Sequence, residues 1–453
     1  MSALEKALNH SKKIGVDECE AVKVSKKITT VRITDSEIAE VKQNFDKNYG
    51  IRIINKKRIT SFQTTEESNL ENFISEALEQ TKNLKPREFW RGLPSKKPSQ
   101  TIEKTFDSSL YEISSSDITD IAQKMIDSSQ HEKVDTITGS LNIVSEKFEL
   151  QNSSNLTLQD KATYISGIIN AESENGILPV SGIGQACGRT LDGFSPHEIG
   201  NDAKIMCIES INPQKVESGE YSIIFEPYSV GELLAFVVAT NFNLKIFSEK
   251  KSCFSNQLEE KIAIDELTLT DDPHTMEGIG SKPYDDEGVP TKKSNLIEKG
   301  IFKNTFSNLF ESYKENKQSS GNASRGGSSL GRSAEPIPVS SPHNLKIETG
   351  KTSQEEMIKD TKKGLLIGRL WYTYAVNPIK GDFSCTARSG IRIIENGQIK
   401  SSGKSVRIIH NLSSMLKNIS SIGNNQKNVI QWASLPSITP SLKVEKINAS
   451  LIN

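Results

Sequence analysis

The chain has 453 residues, enough to bury a substantial core and, on length alone, to form about two to four domains. Its 56 basic and 57 acidic residues nearly cancel, so composition gives no reason to expect nucleic acid or an anionic membrane as partner. Cys19, Cys187, Cys207, Cys253 and Cys385 are scattered without C-x-x-C spacing, which argues against a disulfide framework or zinc ribbon and fits a reducing cytoplasm. The start, "MSALEKALNHSKKIG", lacks the apolar core of a signal peptide, and the longest wholly apolar run, "LLAFVVA", is far too short for a membrane span.

In chain order, a helix-like opening leads into "ITTVRITDSEIAEVKQN" and "YGIRIINKKRITSFQTT", rich in Val, Ile and Thr and broken by an Asn-Lys-Lys turn, as antiparallel strands require. Leu70, Phe73, Ile74, Ala77 and Leu78 recur at helical intervals and predict a helix lying across that small meander. These elements form a first α+β unit, residues 1–86. "LPSKKPSQ" reads as a linker, and "SSDITDIAQKMIDSSQHEK" as an N-capped helix. The alternating stretch that follows, with its Asn-Ser-Ser-Asn turn, predicts a hairpin in a second α+β unit, residues 87–217. A larger, strand-rich unit then occupies 218–453, giving an α+β chain overall. Inside it, "KQSSGNASRGGSSLGRSAEP" is too long for a tight connection and is expected to be a mobile lid or a functional loop.

Few motifs carry chemistry. The six histidines stand singly, without H-E-x-x-H spacing, and only His274, close after Asp271 and Asp272, has acidic company. "GIGQACG" lacks the strand, helix and acidic partner of a dinucleotide site. No phosphate loop or G-x-S-x-G elbow is present. Asp285, Asp286 and Glu287 in "YDDEGVP" form the one dense carboxylate cluster, which reads as a solvated turn, with a hard-cation site as the alternative. The most apolar stretch, "VGELLAFVVAT", carries one acid, Glu232, either a general base or a first-turn charge favoured by the helix dipole.

The segment "DDPHTMEGIGSKPYDDEGVPTKKSNLIEKGIFKN" closely resembles a stretch characteristic of the TldD/PmbA proteins, also called TldD/TldE. "YGIRIINKKRITSF", "GNASR", "SSPHNLKIETG", "NPIKGDFSCTARSGIRIIENGQI" and "PSLKVEKINAS" follow the same family pattern in order, over nearly the whole chain. The resemblance implies a heterodimeric peptidase acting on extended, largely unstructured peptides. One subunit holds zinc through an H-E-x-x-x-H helix and a late cysteine; the other lacks the metal. Placed on that helix, Gly231 and Phe236 occupy the histidine positions and Glu232 the glutamate position, and Cys385 does not stand where the cysteine ligand is expected. The resemblance therefore implies the TldE/PmbA-type subunit, with no cofactor in this chain, zinc in a TldD-like partner, and Glu232 reduced to a first-turn charge. Arg325, Arg332 and Asn322, in the Gly/Ser-rich loop, are the expected peptide contacts, since arginine matches a carboxylate bidentately. Strand edges in the last unit are expected to pair with extended peptide. The alternatives are an autonomous peptidase built on Asp271, Asp272, His274, Asp285, Asp286 and Glu287, or a peptide-binding protein with no peptidase partner.

Overall fold

The computed structural model describes residues 1–95, 101–327, 330–431 and 435–452, so residues 96–100 of the expected linker lie outside the described residues. Helix α1 (Ala3–Lys13) opens on a capping box in which Ser2 and Glu5 satisfy each other's backbone N–H. Strands β1 (Glu18–Thr34), β2 (Glu37–Asn55) and β3 (Arg58–Thr64) follow, then helices α2 (Leu70–Thr81), α3 (Ser108–Glu112) and α4 (Ser115–Ser129). Strands β4 (Thr136–Asn152), β5 (Thr157–Ser173) and β6 (Val180–Gly188) precede helix α5 (Pro196–Glu209).

The sequence reading drew these elements as two units, 1–86 and 87–217. In the structure their strands share one antiparallel sheet, β3-β2-β1-β4-β5-β6, because β1 pairs with β4 from Glu20–Asn152 to Ile33–Gly139. Two helix pairs cover it. Ala3, Leu4, Leu70 and Ile74 of α1 and α2 bury Ile51 and Ile53; Ile118, Met125 and Ile199 of α4 and α5 bury Ile165 and Ile169. The glycines of "GIGQACG" belong to this packing. A Cβ at Gly184 would stand 1.8 Å from the Ile199 carbonyl oxygen, and one at Gly182 would stand 2.2 Å from that of Ala203. Bare backbone is what lets α5 lie against β6.

The last unit begins with β7 (Gly219–Phe225) and α6 (Pro227–Leu233). Short strands β8 (Leu269–Asp271), β9 (Ser294–Glu298) and β10 (Ile301–Phe302) are followed by β11 (Ala323–Ser324), β12 (Val339–Ser340) and β13 (Leu345–Ile347). Long strands β14 (Lys363–Asn377) and β15 (Asp382–Glu395) then lead through β16 (Gln398–Ser402), β17 (Val406–Asn411), β18 (Ile419–Ile422), β19 (Lys427–Val429) and β20 (Ser437–Thr439) to β21 (Leu442–Leu451). The pairings β14–β7, β7–β21, β21–β17, β17–β15 and β15–β14 close a ring. Closure removes most of the free edges that the sequence reading offered to a peptide. One stretch escapes: β14 pairs with β7 only over Gly364–Ile367, and beyond Ile367 it has β15 on one side and no strand on the other among the described residues. Inside the ring, Ile223, Phe225, Leu365, Ile367, Phe383 and Cys385 meet Val230, Leu233 and Leu234 of the α6 region in the largest core. A smaller sheet, β10-β9-β8-β13-β20-β19, packs beside it.

Gly184→Ala is expected to lower the melting temperature sharply, at more than the roughly 1–3 kcal/mol of ordinary overpacking, because the added carbon meets backbone. Thermal unfolding followed by circular dichroism checks this; an unchanged midpoint would show that α5 can lift off β6 freely.

Candidate functional site

The expected acidic site is not a solvated turn. Asp285, Asp286 and Glu287 are all buried, and each carboxylate is consumed by the fold. Asp285 accepts N–H bonds from Glu287 (3.0 Å), Val289 (2.9 Å) and Ala323 (3.0 Å). Burial and the neighbouring Glu287 charge push it up to about 8. Asp286 faces Lys282 at 2.8 Å and the Nε of Arg332 at 3.2 Å; burial opposes its charge, but those two cations outweigh burial and hold it at about 2. Glu287 accepts from Nη1 of Arg52 on β2 at 2.6 Å and from the Leu309 N–H at 2.8 Å. Arg52 in turn reaches Glu20 on β1 at 3.0 Å, and Glu20 also binds Arg325.

Arg325 and Arg332, expected to be open to a peptide carboxylate, are likewise enclosed: 1% and 5% exposed. Arg325 donates to the carbonyls of Asp286 and Glu335, and Arg332 pairs with Asp160 on β5 at 2.6 Å and lies 3.6 Å from Glu146 on β4. Their loop, with Ser328 and Ser329 outside the described residues, is held by β11–β12 pairing and by these ions. Asn322 donates to Asp271, whose other oxygen accepts the N–H of His343 at 2.7 Å and of Asn344 at 3.0 Å. Asp272 accepts the His274 N–H at 3.0 Å, and the His274 ring faces Thr291 at 3.2 Å. Among the described residues no group of three or more His, Cys, Asp or Glu side chains could hold a metal ion. The cluster joins the first sheet to the last unit.

The other candidate, the helix around Glu232, differs from its sequence reading in two respects. Helix α6 starts at Pro227, a residue whose fixed φ and missing N–H suit the first helical position, so Glu232 falls in the second turn and not in the first. It is buried, accepts the Leu370 N–H at 2.6 Å, and is pushed up by burial to about 8, against the pull of that N–H and of Arg369. The ladder between β14 and β15 slips between Arg369 and Leu370, which turns the Leu370 N–H toward the helix. Second, the helix widens into a π turn over Leu234–Val238. On a regular helix, residues five apart point some 140° from each other; the wider turn, which includes Phe236, reduces that angle. Sequence reading missed Arg369 and Trp371, which stand beside this helix with the guanidinium 3.9 Å from the indole centroid. Their i, i+2 spacing in a strand was the available signal.

The PmbA/TldA metallopeptidase C-terminal domain model matches residues 218–451, and the model for domain 1 of the same metallopeptidases matches 19–81. The chain belongs to the PmbA/TldA metallopeptidase family. A metalloprotease of Methanothermobacter thermautotrophicus is 26% identical over 282 residues, 60% of this chain and 59% of that protein. The metalloprotease PmbA of Escherichia coli O157:H7 is 27% identical over 260 residues, 57% of this chain and 53% of its own length. The matched stretches thus span little more than half of these relatives. TldE from Thermococcus kodakarensis superposes with a TM-score of 0.90 at 23% identity, covering 99% of this chain and 100% of that one. A Thermotoga maritima protein described as a modulator of a DNA gyrase gives 0.85 at 24%, covering 99% of each chain. At these identities the two structures share the fold.

The family name raises the question of a metal, and the α6 region does not fit one. Gly231 has no side chain, and a Cβ there would lie 2.7 Å from Nε2 of Gln431 and 2.8 Å from Val429, so the space a ligand would need is filled. Phe236 presents only carbon, and Cys385, although near Glu232, is fully buried with its thiol pushed far up by burial. Zinc requires imidazole, thiolate or carboxylate donors at about 2 Å, and one protonated carboxyl does not make a site.

Two outcomes follow. Arg52→Met leaves Glu287 buried with one N–H for company and is expected to cost about 3–5 kcal/mol in urea unfolding, partly recovered by adding Glu287→Gln. A loss below 1 kcal/mol, near the level of exposed pairs, would show that the network is not closed to water. For Glu232 the folded carboxyl holds its proton until about 8, whereas the unfolded chain releases it near the ordinary value of about 4.3. Its contribution is therefore full below the ordinary value and falls as pH rises toward 8, at up to about 1.4 kcal/mol per pH unit. Glu232→Gln keeps an acceptor for Leu370 and removes this loss, so its melting temperature should gain on the natural chain between pH 5 and 8 and level off above. A gap independent of pH would contradict the burial.

Proposed function

We propose that this chain is the subunit without metal of a two-subunit peptidase, pairing with a TldD-like chain that supplies the zinc, and that it binds extended, unfolded peptide. The observation that carries the reading is the α6 region: Gly231 and Phe236, at the positions where the resemblance implies histidine ligands, offer no donor, and the space beside Gly231 is filled. A helix without those donors suits a partner role better than catalysis. The fold shared with the Thermococcus TldE supports the same assignment.

The surface also calls for a partner. Beyond Ile367, β14 runs on as an edge arm against β15, which pairs with β17 over the same stretch, and its outward side chains Tyr372, Tyr374 and Val376 are 69%, 46% and 55% exposed, with Ile379 just past its end. Apolar side chains at alternate positions of an unpartnered strand are costly in water and invite cover. No described helix is long and apolar enough to cross a membrane, so we assign the arm to the partner subunit. A peptidase built on the acidic cluster has little to support it, because those carboxylates are spent on Arg52, Lys282, Arg332 and backbone N–H groups.

Mixed with a TldD-like chain from the same genome, the protein should elute with it as one species by size exclusion with light scattering. An obligate interface should bury more than about 2,000 Å² in total. Tyr374→Asp with Val376→Asp should weaken the pair at least about tenfold while leaving each chain folded. Two separate species in the natural mixture would overturn the pairing.

A further inference from the structure

Between β5, β6 and the β14–β15 ladder lies a cavity of ≈ 630 Å³, lined in part by Arg369, Trp371, Arg388, Ser181 and Ser389. Arg369 is only 4% exposed, yet among the described residues it has no ion-pair partner, and its Nε makes no hydrogen bond. Burying a guanidinium without an acceptor is costly, and such a donor in a cavity wall is poised for an anion. Three features define the anion. Trp371, also in the cavity lining, packs against Arg369 at 3.9 Å and carries a second buried donor without a hydrogen-bond partner, its Nε1. Arg388, from the neighbouring strand, stands 5.8 Å from the same indole and brings a second positive charge that is itself exposed. Glu172 and Glu174 line the same cavity, a poor setting for a doubly charged phosphate and a tolerable one for a single charge.

We propose that Arg369, with Trp371 Nε1 and Arg388 beside it, holds a carboxylate, and that its source is the free carboxyl end of the peptide this chain binds. The source rests on the peptide-binding reading above; the carboxylate site does not. A planar guanidinium fork matches a carboxylate with two parallel hydrogen bonds, and the indole N–H supplies a third donor at the side. The β7 pairing of β14 stops at Ile367 and Glu232 takes the Leu370 N–H, so a chain end anchored at these residues has the strand edge beyond Leu370 to run along.

The test uses the full chain and a fluorescent, N-terminally labelled five-residue Ala/Gly peptide in three forms: free acid, C-terminal amide, and amide with one internal Glu. Anisotropy should show the free acid binding about tenfold or more tighter than the amide. Arg369→Gln should abolish that difference, and Arg388→Gln, at an exposed position harmless to folding, should reduce it. Equal binding of acid and amide overturns the carboxylate site while peptide binding stands. Tight binding of the Glu-containing amide overturns the chain-end assignment in favour of a side-chain source. If no peptide binds but acetate raises the melting temperature of the natural chain and not of Arg388→Gln, the carboxylate site stands and the peptide reading falls. No response to acetate either overturns both.

Discussion

The fold depends on a buried ionic junction. Glu20 and Arg52 on neighbouring strands of the first sheet reach across to Arg325 and Glu287 of the last unit, and Arg332 repeats the connection to Glu146 and Asp160 on β4 and β5. Removing such charges from water costs several kcal/mol per ion, and only close, hydrogen-bonded partners offset it. The arrangement therefore tolerates one relative placement of sheet and ring, because any slip leaves a buried charge alone. Hydrophobic contact between the two, such as Leu150, Leu156 and Leu158 with Tyr284, would permit sliding; the ion pairs do not. Fixing this docking also fixes the cavity between β5, β6 and the β14–β15 ladder, whose two walls come from the two bodies.

Much of this was legible in the sequence. Helical spacing of Leu70, Ile74 and Ala77, alternation through the long strands and the Asn-Ser-Ser-Asn turn are local signals, and the α+β class follows from them. The long matching segments were enough for the family. What escaped depends on contacts far apart in sequence. The first two units merge because β1 pairs with β4 across more than a hundred residues, and no local pattern announces that pairing. Asp285, Asp286 and Glu287 look like a turn exposed to water because their partners, Arg52 and Arg332 among them, come from distant segments. The Gly/Ser-rich loop looked flexible by composition, although its two arginines anchor it. Position within α6 is a different kind of failure: Pro227 was a readable start signal, and counting from it places Glu232 beyond the first turn.

The widened turn in α6 is likewise invisible to periodicity, since Leu234, Val237 and Val238 suit an α-helix as well as a π turn. Its presence separates two properties that a motif match treats as one. Backbone geometry at positions 231 to 238 comes from packing inside the ring, whereas metal affinity comes from donor atoms. Here a wide turn is present and donor atoms at Gly231 and Phe236 are not, and Val429 and Gln431 occupy the volume beside Gly231.

The burial of Glu232 has an electrostatic consequence for the cavity. An ionised Glu232 near Arg369 would neutralise the guanidinium and leave a ligand carboxylate little to gain. Burial instead pushes Glu232 up to about 8, so at neutral pH it is mostly protonated and donates no charge to its neighbour. One of its oxygens accepts the Leu370 N–H, which keeps the carboxyl turned toward β14. The positive charge of Arg369 then remains uncompensated within a wall of Trp371 and Tyr228, 3.9 Å and 5.8 Å from its guanidinium carbon. Aromatic faces soften the cost of that burial without supplying an acceptor. A neutral acid beside an unpaired arginine is thus a single arrangement: the proton on Glu232 is what leaves the arginine free to hold the negative charge of another chain.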